Sequence, residues 1–279
     1  MTDLPSTAEA TQLPNPRWSL LPLAAVVAGA WASGALARPE QALPLATALA
    51  LVLGGWLLFW LVLTTTDWAT PLSAWRSWDQ PTDLRPLPYL QDQTPGAALH
   101  RSLMLARGWW QSVGRKAMSP ALGGLALSLA VSILLSAVLG RRALLLTGLF
   151  LAWAEMAALW HEGRAHTAGA GWAAVALVGL PWTLGSSLGS GDAGPLALAG
   201  LVLSVLIGFY GGATPIAVLG PLLGAAFLVW HGSYLIAGLL LLCAVPGLLL
   251  LLHHPSEATY RRAIVPWMLC MVALMAAGI

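Results

Sequence analysis

The chain has 279 residues, of which 58% are hydrophobic and 9% charged, and its formal net charge is +2. Soluble domains carry about a quarter charged residues, so this balance excludes an ordinary water-soluble fold and leaves a polytopic membrane protein. So small a charge, held near the ends of apolar runs, gives no basis for a nucleic-acid partner.

Residues 1–16 are polar and carry no basic stretch ahead of the first apolar run. No cleavable signal is therefore expected, and the segment reads as a cytoplasmic tail. From 17 to 279 the chain reads as a single transmembrane domain. A bilayer core takes about 20 apolar residues per helix. About nine runs meet that need: 20–37, 43–64, 119–140, 143–160, 169–186, 193–211, 213–230, 233–252 and 263–279. They are continuous rather than alternating, which predicts an all-α polytopic membrane protein and not a barrel. Gly211-Gly212 and His231-Gly232 mark very short connections between runs.

With nine spans, the N-terminus shares a side with the connections after the second, fourth, sixth and eighth. That side holds ten basic residues: Arg17, Arg76, Arg85, Arg101, Arg107, Arg115, Lys116, Arg164, Arg261 and Arg262. The other side holds three, Arg38, Arg141 and Arg142. Basic residues concentrate on the cytoplasmic side, so the N-terminus is expected there, in a bacterial inner membrane.

The connection over 65–117 is the one long polar stretch, a large cytoplasmic loop. Pro71, Pro81, Pro86 and Pro88 each remove a backbone donor and bias their predecessors toward extended backbone, so its first half is not one long helix. Its second half, 97–116, is amphipathic. Leu99, Leu103, Ala106, Trp110 and Val113 recur every three to four residues, while His100, Arg101, Arg107 and Gln111 fall elsewhere. It reads as a surface helix anchored at the interface, with gating or partner docking as the alternative.

Of the 15 Trp residues, eleven fall at or near predicted interfaces: Trp18, Trp60, Trp68, Trp75, Trp78, Trp109, Trp110, Trp160, Trp172, Trp230 and Trp267. Anchoring in the headgroup layer is the expected role of such rings; contact with a pigment or polyprenyl chain is the alternative. Cys243 and Cys270 lie inside apolar runs and read as buried thiols. Glu155 is the one acid well inside a run, toward its cytoplasmic end. An ionisable group there marks a functional site or an interhelical hydrogen bond, and the position lets it face a central cavity near Asp67. His161, His166, His231, His253 and His254 lie at run ends, where hydration or a helix-end hydrogen bond is the expectation. No P-loop, dinucleotide fingerprint or Ser/His/Asp set stands in a credible context.

After the second run the chain reads Thr66-Asp67-Trp68-Ala69-Thr70-Pro71-Leu72-Ser73-Ala74, followed by Arg85-Pro86-Leu87-Pro88. Further on come Gly171-Trp172, Leu180-Pro181-Trp182 and Gly185, and finally Arg261-Arg262-Ala263 leading into Pro266-Trp267. In order and layout these elements resemble the UbiA superfamily of intramembrane prenyltransferases, nearest the (bacterio)chlorophyll synthase branch. The resemblance spans nearly the whole chain, and its specific motifs amount to about a dozen residues.

The resemblance implies nine helices in a bundle around a central cavity. It also implies Mg²⁺ held by two acidic clusters that neutralise an isoprenoid diphosphate. The first cluster is Asn-Asp-x-x-Asp-x-x-x-Asp in the family; here Asp67 remains, but Thr70 and Ala74 replace the other two acids. The second belongs between helices six and seven, where this chain reads Phe209-Tyr210-Gly211-Gly212-Ala213-Thr214. No Asp or Glu occurs between Asp192 and Glu257. Asp79, Asp83 and Asp92 read as solvated loop acids, with nothing acidic to face them.

The expectation is a degenerate metal–diphosphate site: a pseudoenzyme with no catalytic residue, no metal ligand and no cofactor. Its ligand-binding candidates are Asp67, Trp68, Arg85 and Glu155. Its partners would be the lipid bilayer, an isoprenoid-tailed ligand (chlorophyll, quinone or carotenoid), and subunits of a photosynthetic membrane complex. One alternative is an active prenyltransferase with an unorthodox site on Asp67, Arg85 and Glu155, for which Mg²⁺ would be required. Another is an unrelated transporter or assembly factor, which predicts inverted repeats and charged, unwound midplane helices; the sequence displays neither.

Overall fold

The structure, a computed structural model, describes residues 19–76, 78, 94–161, 169–189, 193–211, 215–253 and 257–279. Among these residues all regular structure is helical. The helices are α1 (Leu20–Ala32), α2 (Pro39–Thr65), α3 (Ala69–Arg76), α4 (Pro95–Leu139) and α5 (Arg141–His161). They continue with α6 (169–186), α7 (Ala193–Gly211), α8 (Leu219–Trp230), α9 (Tyr234–Leu252) and α10 (Glu257–Ala277). A helix therefore stands in each of the nine apolar runs among the described residues. Among the described residues four helices are long and apolar enough to cross a membrane: α2, α4, α7 and α9. The apolar helices α1, α8 and Arg262–Ala277 within α10 are shorter.

Local chemistry sets the boundaries that apolarity leaves open. The first run stays apolar to Ala37, yet α1 stops at Ala32 because Gly34 takes a positive φ of 72°, a conformation favouring glycine. The Ser33 and Gly34 amides then turn back onto Gly29 and Trp31 carbonyls, the usual way to end a helix. The third run is only the second half of α4, which continues backwards to Pro95. Thr94 caps that start, its Oγ1 accepting the Ala97 N–H at 3.3 Å, and Pro95 occupies the first turn, where a missing N–H costs nothing. The 45 residues of α4 span ~68 Å at ~1.5 Å per residue, more than twice a ~30 Å hydrocarbon layer.

Among the described residues three helices contain π-helical segments, at Leu51–Leu57 in α2, Trp110–Gly114 in α4 and Val175–Gly179 in α6. Such segments are places where long helices bend.

The interior packs as two apolar clusters that meet along α1 and α6. On one side, Trp56, Phe59 and Trp60 of α2 pack with Phe150 and Ala154 of α5, against Leu177 and Leu184 of α6. Trp56 and Phe150 stack with ring centroids 4.9 Å apart, and the Trp56 indole donates to Thr147 Oγ1 at 3.2 Å. On the other side, Trp182 of α6 packs with Leu203, Leu206 and Tyr210 of α7, Phe227 of α8, and Met268 and Met271 of α10. The Trp182 indole donates to the Leu196 carbonyl at 2.9 Å. Trp60, expected at an interface, is packed inside the first cluster.

The helices α1 and α6 touch main chain to main chain. A Cβ added at Gly29 would overlap the Trp182 carbonyl, and one at Gly185 would overlap the Val26 carbonyl. At Gly55 of α2 the close neighbour is instead a side chain, the Ser132 hydroxyl of α4. Small residues at crossings are how helices approach closely in lipid. On α4 the buried face carries Ser128, Ser132 and Ser136, while Leu127, Leu134 and Val138 are exposed. Polar-small inside and leucine outside inverts the water-soluble pattern and fits lipid as the surrounding solvent.

Candidate functional site

The corner after α2 is where the first acidic motif would lie. Thr64 and Thr65 donate their hydroxyls back to the Trp60 and Leu61 carbonyls at 2.8 and 2.7 Å. Thr66 is extended, with φ −83° and ψ 132°, and ends the helix. Trp68 then folds back so that its Nε1 donates to the Leu63 carbonyl at 3.0 Å, satisfying one of the orphan carbonyls at the end of α2. Asp67 is exposed, and its Oδ1 accepts the Thr70 N–H at 3.1 Å. That bond satisfies a first-turn donor of α3, the ordinary service of a carboxylate at a helix start. Asp67 and Trp68 thus tie together the two helix ends at one corner.

The remaining candidates are placed differently. Arg85 lies outside the described residues, as do Asp79, Asp83 and Asp92. Glu155 is on α5, whose packed face carries Ala143, Thr147, Phe150, Ala154 and Ala157; Glu155 itself is exposed, beside exposed Met156. Among the described residues, no group of three or more His, Cys, Asp or Glu side chains is arranged to hold a metal ion.

Where the second acidic motif would lie, Tyr210 occupies the last turn of α7, and residues 212–214 are outside the described set. Tyr210 is fully buried. Its hydroxyl accepts the Gly247 N–H at 3.0 Å and donates to the Ala244 carbonyl at 3.3 Å. Both groups lie beside Pro246, which has no N–H to give the Leu242 carbonyl one turn earlier. Both bonds are buried, where polar groups need partners. Gly247 allows the approach, because a Cβ there would overlap the Tyr210 hydroxyl. Tyr260, at the start of α10, donates its hydroxyl to the Tyr210 carbonyl at 2.8 Å. Burial pushes the Tyr260 hydroxyl up to about 12, so it stays protonated and able to donate.

This three-helix junction of α7, α9 and α10 is absent from the sequence expectations. Its one visible signal is Pro246 amid leucines, whose missing N–H marks a place where the helix ladder is incomplete. One histidine makes the expected helix-end hydrogen bond, and another packs against an aromatic ring. His253 Nδ1 lies 2.8 Å from the Leu249 carbonyl, and His231 packs against the Phe227 ring with centroids 4.7 Å apart. A second aromatic pair, Trp153 and Trp172, joins α5 to α6, with centroids 4.4 Å apart and the Trp153 indole donating to the Trp172 carbonyl at 3.0 Å.

Compared with family models, with curated proteins and with solved structures, the chain gives no match.

Proposed function

We propose that this chain is a nine-span membrane protein of UbiA type whose metal–diphosphate site has degenerated, and that it binds an isoprenoid-tailed molecule or serves as a subunit of a membrane complex. The observation that carries this reading is the corner after α2. Thr70 and Ala74 stand where the family has carboxylates, and the remaining Asp67 spends an oxygen on the Thr70 N–H. A diphosphate carries several negative charges, and one engaged carboxylate cannot assemble the oxygen-rich Mg²⁺ site that neutralises them. Tyr210, at the second motif, is likewise committed to a neighbouring backbone. In this reading the N-terminus is cytoplasmic, in a bacterial inner membrane, and Asp67, Trp68, Arg85 and Glu155 serve ligand binding rather than catalysis. Chlorophyll, quinone and carotenoid are the ligand classes the resemblance suggests.

The test is direct. Purified full-length protein in nanodiscs should show no Mg²⁺-dependent transfer from geranylgeranyl or phytyl diphosphate. It should bind a quinone, carotenoid or chlorophyll with an affinity indifferent to EDTA. Turnover that disappears with EDTA and with Asp67→Asn would instead establish the active prenyltransferase.

A further inference from the structure

The N-terminal part of α4 leaves an apolar stripe uncovered. Leu99 and Leu103 are 62% and 59% exposed, and Trp110 is 37% exposed. With Ala106 they recur at spacings of four, three and four, which places them on one face of the helix. None of Pro95–Trp109 is buried. Its ring contact with α3, Trp109 edge-on to Trp75 at 5.7 Å, involves a residue off that stripe.

The charge around the stripe has one sign. Arg101, Arg107, Arg115 and Lys116 are all exposed, and no Asp or Glu occurs from Thr94 to Ala117. This cluster adjoins the apolar part of α4 directly. A helix of 45 residues cannot lie wholly in hydrocarbon, and the basic end is the part that must emerge. At the point of emergence stands the π-helical segment Trp110–Gly114. There Gly114 is packed so closely by the rings of Trp109 and Trp110 that a Cβ would overlap them. Indole rings suit the headgroup layer, and a π-helical segment suits a change of direction.

We propose that Pro95–Gly114 docks onto the anionic headgroups of the membrane in which the chain is embedded, with Leu99, Leu103 and Trp110 entering the interface and the basic residues meeting lipid phosphates. An apolar stripe flanked by Arg and Lys matches that surface in both polarity and charge. This inference is independent of the UbiA-type reading, since it uses neither Asp67 nor any isoprenoid ligand.

The test uses the full chain in nanodiscs of phosphatidylcholine with and without phosphatidylglycerol. An environment-sensitive fluorophore is attached at Leu103→Cys, with Cys243→Ser and Cys270→Ser removing the native thiols. With phosphatidylglycerol, emission should shift to the blue and be quenched by lipids labelled near the headgroup. The same fluorophore at Gln111→Cys, off the stripe, should report water. Omitting phosphatidylglycerol or raising salt should reverse the shift. Arg107→Gln should lower the docked-to-undocked ratio about five-fold. A Leu103 label that stays in water with phosphatidylglycerol would overturn the proposal. Equal protection in both lipids and at high salt would also overturn it, as would protection that appears only with two protein copies per disc. The lipid and salt arms need no arginine variant, so a misfolded variant does not decide the result.

Discussion

Beside Pro246, which brings no N–H to the ladder of α9, one hydroxyl on another helix serves two buried backbone groups. Removing that hydroxyl leaves the Gly247 N–H and the Ala244 carbonyl without this partner. Tyr210→Phe should therefore cost about 1–3 kcal/mol, the usual penalty for a stranded buried polar group. Unfolding in mixed detergent would measure it, with Tyr234→Phe, at an exposed position, as the neutral control. Tyr260 adds a pH signature. Its folded pKa is raised from 10.0 to about 12 because burial disfavours the phenolate. Raising an acid's pKa on folding means that the folded state holds the proton more tightly. The contribution of Tyr260 is thus complete below the ordinary value and lost as pH rises from about 10 toward about 12. Thermal unfolding across that window should steepen with alkali in the parent chain and less so in Tyr260→Phe. An identical slope in both would separate the pH dependence from this residue.

At the scale of elements, the crossing of α1 and α6 decides whether the two halves of the core join. Gly29→Val and Gly185→Val each push a branched side chain into a neighbouring carbonyl and should destabilise by at least the ~1–3 kcal/mol typical of overpacking. Gly171→Ala, where a Cβ meets open space, should be silent in the same unfolding assay. Helix positions were legible in the sequence because apolar length sets them: α6 fills 169–186 from end to end. The extension of α4 was partly legible, since Thr94-Pro95 is a helix-start signal that the surrounding prolines obscure. The end of α1 was not, because residues 35–37 are as apolar as those before them and only the φ of Gly34 marks the stop. The corner at Asp67 was half legible. Its place beside Trp68 was plain, but the spacing to Thr70 suits a helix start as well as a ligand set, and the hydrogen bond distinguishes them. Tyr260 and Tyr210 lie fifty residues apart, and local sequence carries no trace of their contact.

At the scale of the molecule, the nine-span reading makes a topological commitment. Cysteines introduced at Arg85 and Arg141 should label from opposite faces of the membrane, with Arg85 on the side of the N-terminus; labelling from the same face would remove the proposed arrangement. The two-cluster core has a further consequence, which concerns the order of synthesis. The helix α1 is made well before the surface that receives Gly29, which belongs to α6 and follows four more helices. Until then the Gly29 face of α1 lacks the helix it packs against. A chain stalled before residue 169 would therefore hold inserted helices with both clusters open. Completion of α6 supplies the last helix of the first cluster, while the second waits for α7 to α10, so the half of the core built on α2 and α5 is ready to close before the other.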